Sequence, residues 1–191
     1  MKLQTGIKEL DGTLNGGFAK GSLSLLLAEG DFSGKTTTLT YLANRAAEAG
    51  ARVTFASFDQ SVSSIKDMLS NPEITPVSFE ANTIESMKNG LSPLCRNSDV
   101  IFIDNLNRLE YFGYSPEAVS VVHNLRAFAQ LLNIAIVTTI GVFPEHDVVS
   151  LLRISDVALD IAEFHHKTFR LGVLKNTQGS AGCSISFGVS H

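Results

Sequence analysis

The segment LLLAEGDFSGKTTTLTYL (Leu25–Leu42) joins an apolar run to a helical pattern through one short loop. A strand that feeds directly into a helix must be followed by a crossover, and crossovers join parallel strands. Further apolar, β-rich runs follow at intervals, which extends that constraint to the whole chain. They are Ser22–Ala28, Val53–Ser57, Val100–Asp104, Ala135–Thr139, Ala158–Ala162, Phe169–Leu174 and Ser184–Val189. Helical periods lie between them. Gly34–Ala49 sets Leu39, Leu42, Ala43 and Ala46 on one face, and Pro116–Leu132 repeats Val119, Val122, Phe128 and Leu132. Shorter helices are expected at Ile7–Leu14, Val62–Ser70 and Thr83–Asn89. Near-continuous apolar strands alternating with helices predict an α/β fold: a mainly parallel sheet flanked by helices. The last two runs, separated by KNTQGSAGC, predict a C-terminal β-hairpin closing one edge.

At 191 residues, with 44% hydrophobic and 18% charged residues, the expectation is one domain spanning residues 1–191. No repeat, linker or low-complexity tract interrupts it. No apolar run is long enough to span a membrane, and the polar start MKLQT is unlike a signal peptide. Cys95 and Cys183 have no metal-ligand spacing and read as reduced thiols, which suits a cytoplasmic protein. The net charge is −4, and the basic residues are scattered singly. That argues against strong stand-alone DNA binding, whose affinity comes from clustered phosphate contacts, and leaves weak binding by an oligomer open.

The loop carries the first chemistry. Glu29, Gly30, Asp31, Phe32, Ser33, Gly34, Lys35, Thr36 and Thr37 form the candidate nucleotide-binding set. Backbone N–H groups of such a loop, with the positive helix end behind them, cradle phosphates. Lys35 reaches the β- and γ-phosphates, and Thr36 holds Mg²⁺. Glu29 stands where the phosphate-loop signature has its first glycine. A motor of this type also needs an acidic residue at the end of a later strand, and VIFID offers Asp104 as second Mg²⁺ holder. Asp59, ending VTFASFD, is the candidate for orienting or deprotonating the attacking water.

The order of these signals resembles RecA-fold P-loop ATPases, in the branch of DnaB-type replicative helicases, RadA and KaiC. The resemblance runs through Thr5-Gly6, Leu10-Asp11, Gly16-Gly17-Phe18, the nucleotide loop, FASFDQS, IDNLNRL, LRAFAQLLNIAIVTT and LGVLKNTQGSAGCSISFGV, nearly the whole chain. It implies ATP and Mg²⁺ as cofactors and a homo-oligomer, such as a hexameric ring. It further implies protein partners and ATP hydrolysis linked to DNA replication or repair. The catalytic set it implies is Lys35, Asp59, Asp104 and Lys175, with Lys175 reaching a neighbouring subunit's nucleotide.

Several positions depart from that pattern. Asp59 is one methylene shorter than the family's glutamate, and Thr177 replaces its arginine. Thr138-Thr139-Ile140 replaces a glutamine that senses the γ-phosphate. The DNA-loop region Gly141–Ser150 contains Glu145 and Asp147 and no Lys or Arg. A trans arginine can be worth about 10³–10⁵ in rate, so these departures predict weak ATPase activity. They support an alternative of a different class: a KaiC-like regulatory or assembly protein that binds nucleotide and hydrolyses it slowly or not at all. Three further features are assigned bland roles or left open. His165-His166 reads as a solvated turn; Phe32 stays open between stacking on a base, packing on a neighbouring subunit and covering the site as a loop aromatic; Phe112 with Tyr114 and Arg108 reads as subunit packing or a single-strand stacking patch.

Overall fold

The computed structural model describes residues 1–30, 34–110, 112, 115–144, 146–164 and 168–188. A small antiparallel pair, β1 (Lys2–Leu3) with β2 (Phe18–Ala19), brackets helix α1 (Lys8–Thr13). Strand β3 (Leu23–Glu29) leads to α2 (Lys35–Glu48), then β4 (Val53–Ser57), α3 (Val62–Met68) and β5 (Thr75–Ser78). Helix α4 (Ile84–Leu91), β6 (Val100–Asp104), a 3₁₀ turn (Leu106–Arg108) and α5 (Ser115–Leu132) follow. The chain continues through β7 (Ala135–Val142), α6 (Val148–Ile154), β8 (Val157–Phe164), β9 (Thr168–Asn176) and β10 (Ser184–Gly188).

Eight of these strands form one sheet in the order β10-β9-β8-β3-β7-β6-β4-β5. Every pair from β8 to β5 is parallel, while β8–β9 and β9–β10 are antiparallel. The terminal hairpin therefore closes one edge as expected. Period-2 alternation splits β3 between two cores. Leu26 and Ala28 pack with Leu10, Leu39, Leu42 and Ile65 on the side of α1, α2 and α3. Leu23, Leu25 and Leu27 pack with Met87, Val122, Leu125 and Leu151 on the side of α4, α5 and α6. Helices on both faces explain why the central strands are apolar without alternating.

The predicted face of α2 is buried as drawn, with Leu39, Leu42, Ala43 and Ala46 all at 1% exposure or less. The stripe on α5 is rotated from the expected one. Ala118, Val121, Val122, Leu125 and Ala129 are buried, Val119 and Phe128 only flank the core, and Leu132 is exposed. Besides the short β1, β2 and the 3₁₀ turn, two elements were not expected. β5 contains Pro76 and sits at the open edge of the sheet, where a residue without an N–H is tolerated. α6 occupies the end of the region assigned to a DNA loop, and its start is fixed by Asp147, whose carboxylate accepts the Ser150 N–H at 3.0 Å. Glu145 lies outside the described residues.

Candidate functional site

Parallel strands bring their C-terminal ends to one side of a sheet, and β3, β4, β6 and β7 end together there. This places Gly30, Gly34–Thr37, Asp59, Asp104 and Thr139 in one cluster. Gly34 begins α2 in the left-handed conformation at φ 67°, and a Cβ there would overlap the ring of Phe169 on β9. Only glycine satisfies both conditions. Lys35 is buried, and its Nζ donates to the Gly30 carbonyl at 2.5 Å. Gly141, at the end of β7, makes room for that contact: a Cβ there would stand 3.2 Å from Lys35 Nζ and 2.9 Å from the Gly30 oxygen. Asp31, Phe32 and Ser33 lie outside the described residues, as do Tyr114, His165 and His166.

Asp104 is the centre of the polar network. Its Oδ2 accepts from Thr36 Oγ1 at 2.8 Å and its Oδ1 from Thr139 Oγ1 at 2.9 Å. Burial raises the Asp104 carboxyl above its ordinary value, opposed by the two threonine hydroxyls, with the nearby Asp59 charge pushing in the same direction as burial. Thr139 Oγ1 in turn accepts the Asn105 N–H at 2.7 Å, and Asn105 Nδ2 donates to Asp59 Oδ2 at 2.6 Å. Arg108 Nε meets Asp59 Oδ1 at 2.8 Å. An unbroken chain of contacts thus links the first turn of α2 to Asp59. A buried carboxylate, an adjacent hydroxyl and an ammonium at a helix start fit the needs of Mg²⁺ and phosphate: oxygen ligands for the cation and donors for the anion.

Two predicted residues sit elsewhere. Glu29 is exposed at the end of β3 and, by strand parity with Leu23, Leu25 and Leu27, faces the α5/α6 side rather than α2. It lines a cavity there with His146 and Asp160. A carboxylate beside a triphosphate would repel it, and this one is directed to the opposite side of the sheet from α2. Lys175 pairs in register with Ala158, which is level with Leu25, well below the loop. Its Nζ donates to the carbonyls of Leu152, Arg153 and Ser155 at 2.6, 3.0 and 2.5 Å, tying down the C-terminus of α6. Burial lowers the pKa of this lysine, with Asp156 opposing. Thr37 is exposed and lines a groove between α2 and α3 with Thr36, Tyr41, Asn44 and Asp67. Its volume is about 630 Å³, which is of the size that takes a small organic ligand.

Phe112 corrects an expectation. It is fully buried, its ring edge-on to His146 at 5.9 Å, so it is neither a stacking patch nor a subunit contact. Residues that sequence reasoning missed are Asn105, Asn107 and Thr139. Asn107 clips the 3₁₀ turn to β7, donating to the Gly141 carbonyl at 2.8 Å and accepting its N–H at 2.6 Å. For the two asparagines, the run NLNR immediately after the acidic strand end was the available signal.

Comparison of the coordinates with solved structures decides the architecture. The chain superposes on flagellar accessory protein FlaH from Methanocaldococcus jannaschii with a TM-score of 0.68 at 16% identity. The match covers 100% of this chain and 96% of that one. The fold is RecA-like. No protein-family model matches the sequence, and no curated protein is detectably similar to it. Within the RecA-like fold, no helix among the described residues is long and apolar enough to cross a membrane.

Proposed function

We propose that this chain is a RecA-like nucleotide-binding protein that holds ATP with Mg²⁺ at Gly30 and Gly34–Thr37. The observation that carries this reading is the joined placement of Lys35 at the Gly30 carbonyl and Thr36 on the buried Asp104. Lys35 neutralises phosphate charge, Thr36 and Asp104 hold the cation, and the groove between α2 and α3 takes the nucleoside. Bound Mg²⁺ would supply charge neutralisation across the phosphates. Asp59 is the group that orients or deprotonates water. With Thr177 in place of an arginine, turnover is slow. The chain acts in the cytoplasm as a homo-oligomer whose assembly and protein partners respond to nucleotide. The fold shared with a flagellar accessory protein suits that regulatory or assembly role.

Calorimetry with ATP and ADP, with and without Mg²⁺, tests the site. Binding that strengthens with Mg²⁺ and is lost in Lys35→Ala is the expected result. No binding up to about 1 mM, a free energy of only about −4 kcal/mol, refutes it. A second reading, ATP hydrolysis coupled to DNA replication or repair, rests on the motif resemblance. Stimulation of turnover by single-stranded DNA would favour it.

A further inference from the structure

Asp59 is held on both oxygens by one short turn. Asn105 adopts a left-handed conformation (φ 60°), and its carbonyl accepts the Arg108 N–H at 3.1 Å, starting the 3₁₀ turn. The turn is one residue step either side of Leu106-Asn107, which keeps the Asn105 amide and the Arg108 guanidinium close enough to share one partner. Both meet Asp59, at 2.6 and 2.8 Å. The turn itself is anchored: Leu106 is fully buried, and Asn107 is bonded to both polar groups of the Gly141 backbone. The clamp is therefore built into the fold on fixed supports. Its outer arm is open to solvent, since the Arg108 side chain is 60% exposed against 25% for Asp59.

We infer that Asn105 and Arg108 are positioning residues that hold Asp59 in a resting state, and that opening this clamp accelerates nucleotide hydrolysis. A water approaching Asp59 meets two oxygens already engaged by an amide and a guanidinium. Each oxygen keeps a second lone pair, but the two donors fix its direction, so a water can donate to the carboxylate only where that lone pair already points. The short aspartate side chain cannot swing far to offer another lone pair while both donors hold it. The exposed half of the clamp is weak, as solvent-exposed ion pairs are, and so can be opened at small cost. The inference rests on the nucleotide-site reading above and specifies how that site is restrained.

The test is steady-state ATP turnover of the full chain, with fluorescent-nucleotide affinity measured on every variant. Arg108→Ala should raise kcat about fivefold with KM unchanged, and Arg108→Lys should stay near the parent. Asn105→Gly keeps the left-handed backbone, and combined with Arg108→Ala it should raise kcat further, by about tenfold or more over the parent. Adding Asp59→Asn to that pair should remove the gain. If nucleotide binds normally but turnover does not rise in either variant, the clamp is overturned while the site stands. A rise that survives Asp59→Asn also overturns it. Absence of nucleotide binding in the parent chain overturns the site, and the clamp with it.

Discussion

Replacing Lys175 with methionine separates two roles for that side chain. Methionine keeps the aliphatic stem and removes only the ammonium. Three carbonyls at the end of α6 lose a donor, those of Leu152, Arg153 and Ser155. The Arg153 contact is exposed, and water replaces it at little cost; the other two are partly buried. A hydrogen bond to a charged group contributes about 1.5–3 kcal/mol net, and part of that is returned because burial already disfavours the ammonium. A loss of about 2 kcal/mol follows. For a chain of this length each kcal/mol moves the melting point by about 2–4 °C, so Lys175→Met should melt about 4–8 °C lower. Differential scanning calorimetry on the nucleotide-free protein reads this directly. A melting point within about 1 °C of the parent, together with lost turnover, would refute the helix-tethering role. It would place the lysine on a neighbouring subunit's nucleotide instead.

Gly34→Ala should be far more damaging than Gly30→Ala, although both glycines have positive φ. Gly30 meets nothing within 4 Å, so only the left-handed backbone cost of about 1–2 kcal/mol applies. At Gly34 the methyl also displaces the core ring of Phe169, adding about 1–3 kcal/mol; thermal melts of the two variants check the difference. Asp104→Asn should raise the melting point at pH 7 while abolishing the Mg²⁺ dependence of nucleotide binding. The sign follows from the raised carboxyl: the native state binds that proton more tightly than the unfolded chain, so the buried charge costs stability above the folded-state value. The cost fades as pH falls from the raised folded-state value toward the ordinary carboxylate value of about 3.9, below which it is gone, so the gain in Asp104→Asn should shrink in melts taken toward pH 4.

The central strands and α2 were legible because burial on both faces leaves an unbroken apolar signature, and Gly34-Lys35-Thr36 marks the strand-to-helix junction chemically. Asp104 was legible for the same reason, as the first charge after four apolar residues. What escaped was short or non-local. Thr75–Ser78 reads as a loop because of Pro76, and only its place at the sheet edge makes it a strand. The helix after Asp147 is seven residues long and hidden in a stretch without a clear period. The partners of Asp59 lie 46 or more residues away, and nothing local to FASFDQS announces them. Lys175 illustrates a different gap: motif resemblance proposed a partner outside the chain, whereas within it the side chain is occupied by the end of α6.

The position of β3 has a consequence for how the protein is made. Its two neighbours are β7 and β8, so the strand that carries the phosphate loop has no sheet partner until residues beyond 135 exist, and lacks its second until those beyond 157. About 135 residues separate Glu29 from Phe164, and ribosomes add roughly 5–20 residues per second. For about 7–27 s after its synthesis, this buried central strand waits with at least one edge unpaired. The nucleotide site is thus among the last features a nascent chain can complete, and nucleotide present during translation can reward only an essentially finished molecule.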